Sequence, residues 1–188
     1  MKNFFLFLFL ITVLSCTTKD ALIEEIPFSY ENSNAQPSLV SNNGSLSLSW
    51  ISSIEKKEAI LNFSQFKNGR WVEPKKIASG SDWFVNWADF PAHSINGNLI
   101  LSSYLRKSAS GTYTYDVVMS LQKLSGEKIK EDFVLHTDGI KAEHGFVSII
   151  PNDSEGFFVT WLDGRNTCLL YTSPSPRDRT RSRMPSSA

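Results

Sequence analysis

Three short stretches gather residue types that can do chemistry. In residues 81–91, SDWFVNWADFP, the aromatics Trp83, Trp87 and Phe90 stand among Asp82, Asn86 and Asp89. Flat rings beside amide and carboxylate groups suit stacking on a sugar and recognition of its hydroxyls. The same rings can instead pack neighbouring elements together. Glu143-His144-Gly145 sets an imidazole beside an acid. That pairing can shuttle a proton or ligate a metal, or it can be a hydrogen-bonded structural histidine. Asp163-Gly164-Arg165 offers a guanidinium near a carboxylate, and reads equally as a turn with a local ion pair. His93 and His136 have no ligand-like spacing, so no metal site is expected and no cofactor is implied. The chain holds no phosphate loop and no nucleophile elbow.

The elements that must position these residues read as strands. From Pro37 onward the pattern is period-two alternation broken by Asn, Gly, Ser and Pro, with no sustained helical period. In Ser45-Leu46-Ser47-Leu48-Ser49-Trp50 the residues Leu46, Leu48 and Trp50 share one face, and Asn68-Gly69 predicts a hairpin turn. The pattern also repeats. PSLVSNNGSLSLSWI begins at Pro37, PAHSINGNLILSSYL at Pro91 and VSIIPNDSEGFFVTWL at Val147. Trp50, Tyr104 and Trp161 take the same place, 54 and 57 residues apart. A period near fifty holding about four strands is the mark of a propeller blade, because a lone blade cannot bury both of its faces. The expected fold is all-β, about two and a half four-stranded blades of a six-bladed propeller, over residues 37–167. A β-sandwich with a chance repeat is the alternative.

Residues 4–14, FFLFLFLITVL, are too short to span a bilayer as a helix and fit the apolar core of a secretory signal. They are followed at once by Ser15 and Cys16. Val13-Leu14-Ser15-Cys16 resembles the lipobox of bacterial lipoproteins, with Leu14 departing from the usual small residue. The resemblance implies removal of residues 1–15 and lipid on the Cys16 thiol, whose softness suits alkylation. Several acyl chains would then hold the protein at the cell envelope, in the outer membrane, facing the periplasm or the exterior. Ordinary signal cleavage with an incidental cysteine is the alternative. Residues 16–36 read as a polar tether.

Residues 168–188 resemble translated sequencing adapter in two blocks, CLLYTSPSPRD and SRMPSSA. The alternative is a disordered Ser/Pro/Arg-rich tail. The whole chain carries 19 basic and 19 acidic residues. Setting aside Lys2 and the tail (Arg177, Arg179, Arg181, Arg183 and Asp178) leaves 14 basic against 18 acidic, a net charge of −4. That balance makes a poor phosphate binder, so no nucleic-acid partner is expected. Cys168 belongs to the tail, which leaves no cysteine pair for a disulfide in the mature part.

With NGRWVEPKKIASG (68–80), SDWFVNWADFP (81–91), AEHGFVS (142–148) and WLDGR (161–165), the chain resembles the sialidase-like propellers. The Asp-box hairpin of that superfamily, Ser-x-Asp-x-Gly-x-x-Trp, is not present intact. The resemblance implies an Arg cluster for a substrate carboxylate, an Asp acid/base and a Tyr–Glu nucleophile pair. It assigns Arg165 to carboxylate binding and Asp89 to acid/base work; by their own chemistry Trp87, Asn86, Glu143, His144 and Asp163 are the expected surrounding binding surface. It assigns no Tyr–Glu pair, which is expected in later blades. The implied function is that of a lipid-anchored, exo-sialidase-like glycoside hydrolase. The alternative is a non-catalytic propeller binding a glycan or a protein.

Overall fold

The computed structural model describes residues 23–28, 30, 33–42, 44–55, 57–153 and 156–166. Among the described residues the all-β class expected from the alternation is what is found, as three antiparallel sheets in chain order, none closed on itself. Among the described residues the one helical element is a 3-10 turn, Gly164–Asn166.

Sheet 1 runs β1 (Ser33–Asn42), β2 (Ser45–Ile54) and β3 (Glu58–Lys67), with β4 (Arg70–Trp71) and β5 (Lys75–Gly80) sharing the far edge of β3. β4 and β5 are one strand interrupted at Pro74, a residue with no N–H for the ladder. Asn68-Gly69 makes the predicted turn, with both residues at positive φ. Sheet 2 runs β6 (His93–Asn96), β7 (Leu99–Lys107), β8 (Tyr115–Lys123) and β9 (Lys128–Val134) in sequential order. Sheet 3 is the hairpin of β10 (His144–Pro151) and β11 (Phe157–Asp163). β1 starts at Ser33, so the end of the segment read as tether is strand. Just ahead of it Phe28 and Tyr30 meet the Trp50 ring edge-on, at 4.9 and 5.3 Å between centroids.

Sheet 2 is the middle layer. Alternation along β7 sends Ile100 and Tyr104 into a core with Ile51, Leu61, Phe63 and Ile77 of sheet 1. It sends Leu101 and Leu105 the other way, into a core with Tyr115, Val117, Met119 and Ile149 against sheet 3. Strands apolar on both faces are what a layer buried on both sides requires. In β2 the serine face is buried as deeply as Trp50. Ser47 and Ser49 close on the two ring nitrogens of His93 in β6, at 2.9 and 2.8 Å. Small side chains let the sheets approach, and the buried imidazole satisfies both hydroxyls. Burial pushes His93 down to about 4, so the ring is neutral.

The first strands of sheets 1 and 3 share a backbone device. β1 is bulged between Ala35 and Ser38 and β10 between Gly145 and Ser148. Gln36 and Phe146, inside the bulges, both have φ of 54°. A bulge re-aims the start of its strand, and here both starts turn toward a neighbouring sheet. Gln36 Nε2 donates to the carbonyls of Asn86 and Asp89, and the Phe146 N–H donates to Asp89 Oδ2 at 2.9 Å. The face of sheet 3 turned away from sheet 2 carries Ile150, Phe158 and Leu162, all more than half exposed.

Candidate functional site

The loops before β6 and β10, the β7–β8 loop and the turn after β11 meet at one end of the sheets. Residues 82–84 extend the lane of β6: the Phe84 N–H donates to Leu105 O, and the Lys107 N–H to Asp82 O. Trp83 and Phe84 then stack on Tyr104 and Tyr115, at 4.2 and 4.4 Å between centroids. Those two aromatics therefore pack. Trp87 does not: it is 89% exposed, at the tip of the same loop. Asn86 holds that tip, its Oδ1 accepting the N–H groups of Ala88 and Asp89 at 2.8 and 2.9 Å. This is an Asx-type turn, which tolerates a short polar side chain in place of a backbone acceptor.

Asp89 lies beneath, 4% exposed. Burial raises its pKa, the Phe146 N–H bond pulls it back, and the Glu143 charge raises it again. Beside it Tyr115 donates its hydroxyl to Glu143 Oε1 at 2.7 Å. Tyr115 is itself buried. Burial first, and then the Glu143 bond, push its hydroxyl well above the ordinary tyrosine range. This Tyr–Glu hydrogen bond joins residues 28 apart in the chain. No local motif marks it.

A second cluster abuts this one through Glu143, whose carbonyl accepts the Gly164 N–H at 2.7 Å. His144 is fully buried, and its ring stacks on His136 at 3.9 Å and 12°. Asp116, Asp138 and Asp163 surround the two rings: His144 Nε2 is 3.5 Å from Asp163 Oδ1 and 3.9 Å from Asp138 Oδ2, and His136 Nε2 is 3.8 Å from Asp116 Oδ1. Arg165 closes the cluster, with Nη2 2.8 Å from Asp163 Oδ2 and Nε 3.3 Å from Asp138 Oδ2. Burial opposes ionisation of Asp163, but the Arg165 backbone and guanidinium outweigh it and hold the carboxyl below its usual range. Burial and the neighbouring His144 push His136 down, against the pull of the three carboxylates.

Of the residues singled out from sequence, Glu143, His144, Asp163 and Arg165 come together in this cluster, whereas Trp87, Asn86 and Asp89 lie in the loop before β6. His136 has no ligand-like spacing in the chain, yet the fold sets it against His144, and two sets of donor atoms converge: Asp116, His136 and His144, and Asp138, His144 and Asp163. Asp116, Asp138 and Tyr115 escaped sequence reading because their partners come from other strands and loops. Cys16, the apolar leader and residues 168–188 lie outside the described residues. Among the described residues, no helix is long and apolar enough to cross a membrane. No family model matches the chain, and neither a curated protein nor a solved structure matches it.

Proposed function

We propose that this is an exported, lipid-anchored protein of the sialidase-like propeller type that binds a glycan at the loop end of its sheets without cleaving it. The three sheets would be successive blades, with β1, β6 and β10 innermost. Their in-order meanders, the bulge shared by β1 and β10, and the apolar outer face of sheet 3 support that reading. The observation that carries the binding assignment is the indole of Trp87, exposed at the tip of a loop held rigid by Asn86. An exposed flat aromatic on a fixed turn is a stacking platform for a sugar ring.

Binding is favoured over hydrolysis by the state of the candidate catalytic groups. The Asp89 carboxylate is buried on a backbone N–H, and Asp163 and Asp138 engage the Arg165 guanidinium. One observation favours the hydrolytic reading, the Tyr115–Glu143 hydrogen bond. A tyrosine hydroxyl made less acidic by its surroundings is a poor nucleophile, and that weighs against it.

The test is a panel of sialosides and other acidic and neutral glycans, scored separately for capture and for released sugar. Capture that Trp87→Ala abolishes, with no sugar released, is the expected result. Release of sialic acid that Tyr115→Phe abolishes would replace binding with hydrolysis. For the anchor, Cys16→Ser should abolish lipid labelling and release the protein from membranes. Membrane association that persists in that variant would refute it.

A further inference from the structure

Independently of the glycan reading, we propose that the protein holds one divalent first-row transition ion, such as zinc, on His144 Nε2, Asp138 Oδ2 and Asp163 Oδ1. These atoms lie within 4.8 Å of one another, with Nε2 3.5 Å from Asp163 Oδ1 and 3.9 Å from Asp138 Oδ2. Ligands on a tetrahedral ion with bonds of about 2.0 Å stand about 3.3 Å apart. Drawing the three atoms in by about half an ångström completes three corners. The fourth is left for water.

The imidazole is prepared for this role. His144 Nδ1 lies 3.3 Å from the Tyr115 carbonyl, which assigns the ring proton to Nδ1 and leaves the Nε2 lone pair free. His144 is fully buried, and Nε2 has no hydrogen-bond partner among the described residues. The same holds for Asp138 Oδ2, Asp116 Oδ1 and His136 Nε2. Buried polar atoms are almost always satisfied, and two of these orphans, His144 Nε2 and Asp138 Oδ2, would be ligands of the ion. Charge points the same way. Three carboxylates face one guanidinium, so the acidic groups outnumber it by two. One nitrogen and two carboxylate oxygens suit a borderline transition ion better than a soft one.

The neighbours have defined parts. A metal on an imidazole lies in the ring plane, and His136 is stacked parallel to His144 in a different plane. His136 therefore flanks the ion and does not ligate it. Asp163 Oδ1 accepts the Arg165 backbone N–H at 3.0 Å and Nε at 2.9 Å; the side chain, 44% exposed, can turn outward, so it competes with the ion for Asp138 and Asp163. A cleft lined by Asp116, His136, Thr137 and Lys141 borders the cluster on its Asp116–His136 side.

Calorimetric titration of the full chain with zinc chloride tests the proposal. One zinc per chain is expected, with a dissociation constant on the order of 1 μM or tighter. Asp163→Asn and His144→Gln should each weaken binding by about tenfold or more. Arg165→Gln should tighten it by removing the competing cation, and His93→Gln should leave it unchanged. Circular dichroism checks the fold of each variant. Should His144→Gln fail to fold, the partly exposed Asp163→Asn decides. A cobalt-loaded chain gives the second readout, since its visible bands should disappear in Asp163→Asn. Absence of saturable zinc uptake, or uptake that a folded Asp163→Asn leaves unchanged, overturns the proposal.

Discussion

Asn96 holds the same place in sheet 2 that Asn42 holds in sheet 1, at the end of the first strand, and each donates its side-chain amide sideways to the next sheet. Asn42 reaches Ile95 O at 2.7 Å, while Asn96 reaches Asn152 O at 2.7 Å and Gly156 O at 2.9 Å. Asn96 satisfies two carbonyls where Asn42 satisfies one. Asn96→Ala should therefore cost about 1–3 kcal/mol and Asn42→Ala less, read as shifts of the urea midpoint. Equal costs would show that the second bond contributes nothing.

Gly145 sits where a β-carbon would overlap Asp89 Oδ2 and come within 3.1 Å of the Tyr115 ring. Overpacking of this kind costs about 1–3 kcal/mol. Gly145→Ala should lower the melting temperature, and Asp89→Ser in the same chain should restore part of the loss. The restoration measures how much of the cost is contact with Asp89.

His93 sets a pH dependence. Its folded value, about 4, lies below the ordinary 6.5, so the unfolded chain binds the extra proton first. The stability associated with the neutral ring is fully present above pH 6.5 and is lost as pH falls toward 4. The loss is on the order of 3 kcal/mol at most. Urea midpoints between pH 7 and pH 4 should fall less steeply in His93→Gln than in the parent.

Tyr115→Phe removes one hydrogen bond and leaves Glu143, which is exposed, to be solvated. The expected effect is about 1 kcal/mol of lost stability. On the proposed glycan reading capture should stay unchanged, because Tyr115 is buried and the proposed contact is Trp87.

Deleting residues 168–188 should leave solubility and melting temperature unchanged. A drop in melting temperature on deletion would show that the segment packs on the sheets.

The sequence by itself determined the all-β class, the place of several strands and the sequence repeat. These rest on local signals: alternation along β2 and β7, the Asn68-Gly69 turn, and an aromatic at Trp50, Tyr104 and Trp161. It also marked Glu143, His144, Asp163 and Arg165, because their neighbours in the chain already suggested turns and ion pairs. Only the tertiary structure decided that the serines of β2 face His93, since alternation says which residues share a face but not what that face meets. Only the tertiary structure joined Asp116, His136 and Asp138 to His144, and Tyr115 to Glu143. Those partners come from different strands and loops. Their distances are set by how the sheets pack, which no spacing along the chain encodes.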